Sequence, residues 1–186
     1  MKKITEKRKN EKRNQLILGL ILISVMFLSV LGYALREEEE SEEEKVIYNN
    51  FEFEKNNDFW YLSVENFNFV FKNNPFQIEE IPAQLKGLNN YKGKPLYIYS
   101  EEDEASSEIY INLNQLIQRM QFACLESLEN CEENSPTKTC EDNFIIIRVN
   151  NNTRIVQEEN CVFIQGKKEE IVGLVDEFLF KIIGVR

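Results

Sequence analysis

The sequence reads as an α+β protein in which an N-terminal transmembrane helix precedes a mainly antiparallel sheet with one βαβ unit and two packed helices. Three patterns carry that reading. Residues 16–35 form an unbroken apolar run, apolar and polar residues alternate with period two in several stretches after residue 50, and apolar residues recur at spacings of three and four across 105–128 and 168–183.

The apolar run, LILGLILISVMFLSVLGYAL, carries no charge. At about 1.5 Å per residue its twenty residues match a hydrocarbon core roughly 30 Å thick. Residues 1–15 before it hold seven basic and two acidic side chains, and residues 36–45 after it, REEEESEEEK, hold seven Glu with one Arg and one Lys. Such a segment has no polar face with which to lie on a domain as an amphipathic core helix. Basic residues stay on the cytoplasmic side, so the N-terminus is expected inside and the rest outside. Gly32 and Ala34 offer a cleavage site for a signal peptide. The run nevertheless exceeds the usual apolar length of about 7 to 15 residues, which favours a retained anchor. The glutamate block repels itself at helical spacing and reads as a solvated spacer.

Four regions follow: a basic cytoplasmic tail (1–15), a transmembrane helix (16–35), an acidic spacer (36–45) and an extracytoplasmic α+β domain (46–186). The last has the size of one compact domain, with no linker and no internal repeat.

Within the domain, Phe51 and Phe53 alternate with Glu52 and Glu54, and Lys55-Asn56-Asn57-Asp58 supplies a turn. Trp60, Leu62 and Val64 alternate with Tyr61 and Ser63, Glu65-Asn66 turns again, and Phe67, Phe69 and Phe71 share one face. This is an antiparallel meander with a buried aromatic face. Pro75 and Pro82 bracket a short irregular element, and residues 87–94 form a loop. Residues 95–100 make an apolar strand. The stripe Ala105, Ile109, Leu113, Leu116, Met120, and Ala123 or Cys124, continuing to Leu128, predicts one long helix. That helix and the strand at 143–149 complete the βαβ unit, with its two strands parallel. Asn150-Asn151-Asn152 is a turn, 153–157 returns antiparallel, 161–165 is a further strand ended by Gly166, and 168–183 is an amphipathic helix.

Four cysteines, Cys124, Cys131, Cys140 and Cys161, all fall in the expected exported domain. An even number there predicts two disulfides, and the spacing contains no Cys-x-x-Cys for a redox pair or zinc ribbon. Of three possible connectivities, the predicted elements favour Cys131 with Cys140 and Cys124 with Cys161. Asn151-Asn152-Thr153 is a glycosylation sequon in an expected turn. Glu101, Glu102, Asp103 and Glu104 are the candidate cation ligands, since they fall at the C-terminal end of a parallel strand. The competing reading is that acidic residues ahead of a helix complement its dipole.

No histidine occurs among the 186 residues, so Ser-His-Asp and Cys-His catalysis and His-ligated zinc are excluded within the chain. The formal net charge of -10 speaks against nucleic acid as a partner. It combines a +5 tail, a -5 spacer and a -10 domain, and so describes topology more than solubility.

The stretches Arg119-Met-Gln-Phe-Ala-Cys124, Lys138-Thr-Cys-Glu-Asp-Asn-Phe-Ile145, Gln157-Glu-Glu-Asn-Cys-Val-Phe-Ile-Gln-Gly166 and Phe180-Lys-Ile-Ile-Gly184 resemble a group of uncharacterised membrane-anchored, disulfide-containing proteins of small-genome archaea. The resemblance implies an anchored, oxidised domain and no activity or site residues. The expected function is a non-catalytic extracytoplasmic module without a cofactor. It would meet the bilayer through residues 16–35 and bind a protein or envelope component. The alternative is a carboxylate-dependent, cation-assisted hydrolase, since that chemistry survives without His.

Overall fold

A computed structural model describes residues 2–34, 44–127, 131 and 135–186; within its first helix, side chains are described for residues 15–31. The chain divides into two compact units, Met1–Glu42 and Glu43–Arg186. Among its described residues the first holds one helix, α1 (Lys2–Ala34), which runs through the basic tail and most of the apolar segment. Every large apolar side chain from Leu16 to Leu31 is at least half exposed, on all sides of the helix. No helix among the described residues is long and apolar enough to cross a membrane. The apolar side chains that are described stop at Leu31, about 22 Å after Leu16, and the transmembrane expectation for 16–35 is to that extent unmet. The side chains of 32–34, and residues 35–43, which hold most of the acidic spacer, lie outside the described residues.

The second unit opens with a four-stranded antiparallel meander: β1 (Lys45–Tyr48), β2 (Phe51–Asn56), β3 (Phe59–Val64) and β4 (Phe67–Phe71). Its first strand lies partly in the expected spacer, where Lys45 pairs with Glu52 and Glu54 across β2. The hairpin between β1 and β2 turns on Asn49 and Asn50, both in the left-handed region (φ 46° and 69°), as a two-residue turn of right-handed strands requires. Asn57 (φ 55°) and Glu65 (φ 54°) turn the next two hairpins. The register aligns Val46, Phe53, Leu62 and Phe69 in one cross-strand row, and Trp60 with Phe71 in the next. Phe53, Trp60, Leu62, Phe69 and Phe71 are all buried, so the alternation in the sequence is the inward face of this sheet.

The rest of the unit is β5 (Pro95–Ser100), α2 (Asp103–Leu113), β6 (Arg119–Phe122), β7 (Cys124–Leu125), β8 (Thr137–Lys138), β9 (Phe144–Val149), β10 (Arg154–Glu158), β11 (Cys161–Gly166) and α3 (Ile171–Ile183). Five of these strands form a sheet in the order β10-β11-β9-β5-β6, and β7 pairs with β8. Here the expectation of a mainly antiparallel sheet is corrected, while the expected parallel pairing of the strands at 95–100 and 143–149 is met: β5 is parallel to β9 and also to β6, β9 is parallel to β11, and β10 alone is antiparallel. Burial explains this. Phe144, Ile145, Ile146 and Ile147 are all fully buried, the run expected of a central strand covered on both faces. Strand β11 lies between β9 and β10, so the segment after the Asn turn pairs with β11 and not with its predecessor.

The long helix expected over 105–128 is also corrected. It ends at Leu113, and the βαβ unit is β5-α2-β6. Leu116 stays buried through a tight turn, its N–H donating to Leu113 O, while residues 119–122 extend into a strand. Apolar residues at 116, 120 and 123 satisfy helical spacing and a turn followed by a strand equally well. The last helix, α3, ends at Gly184 (φ 89°), whose N–H caps the carbonyls of Phe180 and Lys181. Helices α2 and α3 lie between the sheets. Phe180 of α3 meets Phe53 and Phe71 of the meander, and α3 rests on β11. The opposite face of the five-stranded sheet carries a second small core of Tyr97, Ala123, Leu125, Phe144, Ile146 and Cys161.

Candidate functional site

The four acidic residues singled out by the sequence take separate partners. Glu101 accepts the Val149 N–H at 2.8 Å and faces the Arg148 Nε at 3.4 Å, while Glu102 pairs with the Lys168 Nζ at 2.9 Å. Asp103 and Glu104 occupy the first turn of α2, where they complement its dipole. Among the described residues no group of three or more His, Cys, Asp or Glu side chains could hold a metal ion. The cysteines form two disulfides, Cys124–Cys131 and Cys140–Cys161, with Cα separations of 5.8 and 5.0 Å. The favoured connectivity is therefore corrected. It placed Cys124 on the long helix, whereas Cys124 lies on β7. The Cys140 carbonyl accepts the Asn160 N–H, which brings Cys140 beside the start of β11. Asn151 is exposed between β9 and β10.

The polar groups that organise the second unit lie elsewhere, along the outer edge of β4. Asn112 of α2 accepts the Val70 N–H and donates to the Val70 carbonyl, both at 2.7 Å. Gln115 donates to Asn68 O at 2.7 Å, and Glu108 accepts the Lys72 N–H at 3.2 Å. Helix positions 108, 112 and 115 thus serve strand positions 72, 70 and 68. Two geometries make the match: a step of four helical residues spans about 6 Å, and a step of two strand residues about 6.6 Å. The helix supplies the hydrogen bonds that a fifth strand would have made, and the edge is closed to further pairing.

At the end of this row Asp176 of α3 accepts both the backbone N–H and the side-chain amide of Asn73, each at 2.9 Å. Its carboxyl also feels the charge of Glu108, so two carboxyl groups come together where α2, α3 and the end of β4 converge. Glu108 is 5% exposed and Asp176 not at all. Burial, and then the charge of Glu108, push the Asp176 carboxyl well above its usual range; burial also raises Glu108. Glu108 and Asn112, four residues apart, flank the stripe of Ile109 and Leu113 and share its burial, which a stripe read from apolar residues alone does not record.

Above the pair lies a groove of about 790 Å³. Glu104, one turn before Glu108 on α2, and Gly173, one turn before Asp176 on α3, both line it, with Asn73 between them. A Cβ on Gly173 would lie 3.1 Å from the Ile78 side chain, so the glycine lets the 73–81 segment close against the helix. That segment is pinned from behind. Arg186 hydrogen-bonds Glu177 and the carbonyls of Pro75 and Ile78, and Glu177 accepts the Ile81 N–H at 3.2 Å. Lys72 and Lys168 set positive charge in the groove against Glu79, Glu104, Glu169 and Glu170. Such a lining suits a polar chain carrying both signs. The buried carboxyls, held under Asn73, do not line it.

No protein-family model, no curated protein and no solved structure matches this chain.

Proposed function

We propose that this chain is a membrane-anchored extracytoplasmic module that binds a protein or envelope component through the groove between α2 and α3. The observation that carries the reading is the helix α1, whose apolar side chains from Leu16 to Leu31 are exposed on every side. Exposing so many consecutive apolar side chains to water is unfavourable by roughly 25 cal/mol per Å², and a lipid environment removes that cost. The apolar sequence continues through Leu35, which completes the length a bilayer needs. Two disulfides are in keeping with an oxidising compartment. The basic residues before the helix put the N-terminus in the cytoplasm and the folded unit outside.

The hydrolase reading draws on the paired carboxyls Glu108 and Asp176, but their burial separates them from anything in the groove. Binding is the better-supported function. Extraction of native membranes with alkaline carbonate tests the anchor: the full chain is expected in the pellet, and its release into the supernatant would refute the reading. A photo-reactive residue at Gln77 in the groove is expected to crosslink a partner that one at Ser63 of β3 does not.

A further inference from the structure

Asp176 Oδ1 is buried and meets no N–H or hydroxyl donor among the described residues, while its other oxygen already takes both bonds from Asn73. The other ionisable group acting on this side chain is the carboxyl of Glu108, itself buried on α2. Two ionised carboxyls have no hydrogen to place between them, whereas one proton supplies the missing donor. We infer that Glu108 and Asp176 share a single proton and form a pH-sensitive clamp between α2 and α3, closed while the proton is held and loosened when it passes to water. The inference concerns the folded unit and stands whether or not the membrane reading does.

The surroundings fit a clamp that holds one negative charge and not two. Lys72, at the end of β4, offers its N–H to Glu108 and its positive charge to the pair; Glu104, on α2, adds a negative one. The 73–81 segment contributes the uncharged amide of Asn73. On α3, Glu177 is turned to Arg186 and Lys181. With the proton gone, two charges would face each other in a buried site with one nearby cation, and separation of the helices would admit water. Since Glu104 of α2 and Gly173 of α3 both line the groove, the same movement would change its width.

The sign of the pH dependence follows from proton counting. In the unfolded chain both carboxyls titrate near about 4, but the folded pair keeps its proton above that. The folded state therefore binds more protons than the unfolded, and stability falls as pH rises from about 4 through the raised folded value. One proton changes the unfolding constant by up to about tenfold per pH unit in that window.

The test is urea unfolding and amide exchange of the full chain in lipid nanodiscs between about pH 4 and pH 9, comparing the wild type with Asp176→Asn, Glu108→Gln and the double variant. In Asp176→Asn the amide oxygen keeps both bonds from Asn73 and the NH₂ replaces the shared proton. In Glu108→Gln the donor comes from the other side. Each single variant should fold, lose the slope and keep α2 and α3 protected at high pH. The double variant has neither carboxyl left to titrate and should show no slope in this window either. A wild-type profile without the slope, or a slope that persists in the variants, would overturn the shared proton.

Discussion

Tyr91 is fully buried in the main core, and its hydroxyl finds no hydrogen-bond partner among the described residues. Burial alone pushes its ionisation upward. An unpaired buried hydroxyl costs free energy that a ring of the same shape avoids. Tyr91→Phe is therefore expected to raise stability by about 1 kcal/mol in urea unfolding. Asn112 is the opposite case, since both ends of its amide are used by Val70. Asn112→Leu keeps the volume but leaves a backbone donor and an acceptor unpaired, and should cost about 2–3 kcal/mol by the same measurement. The burial of Tyr91 was not legible in the sequence, where residues 87–94 read as a loop. Nor was that of Asn112, because a polar side chain on a helix is ordinarily solvated. Only the neighbouring strand edge shows that Glu108 and Asn112 face inward, with the exposed Gln115 reaching back to Asn68.

Elements were legible where one face met water and the other did not. The meander has that property, and its alternating Phe, Trp and Leu residues place β2, β3 and β4 in the sequence; β1, four residues long, begins earlier than the pattern shows. The long helix was misplaced because period and burial decouple after Leu113, where residues 114–118 turn and β6 takes an edge position. The disulfide connectivity inherited that error through Cys124. The 73–81 segment, which has no regular structure, depends on long-range contacts that no local pattern records. Its attachment rests on Arg186 and Glu177, whose side chains are 4% and 0% exposed. Arg186→Ala would leave Glu177 buried with Lys181 as its remaining cation and strip the donor from the Pro75 and Ile78 carbonyls. The expected loss is about 3–5 kcal/mol, with faster amide exchange across 75–81.

At the scale of the whole molecule, the α+β class was legible because helical and strand periods alternate along the chain. Of the strand order only the parallel pair β5 and β9 was legible; the places of β6 and β11 beside them were not, since they bring distant segments together. Charge carries the largest-scale information. On the proposed reading, a basic start, an apolar helix and an acidic folded unit belong to a chain sorted across a membrane, and the two disulfides are in keeping with its outer side. The most direct test is labelling of intact cells with a membrane-impermeant, amine-reactive reagent, followed by peptide mapping. Lys86, Lys92 and Lys94 are exposed on the folded unit and should be modified, whereas Lys2, Lys3, Lys7, Lys9 and Lys12 should react only after lysis. Protection of the first group until lysis, or labelling of the second group in intact cells, would contradict an anchored domain facing outward.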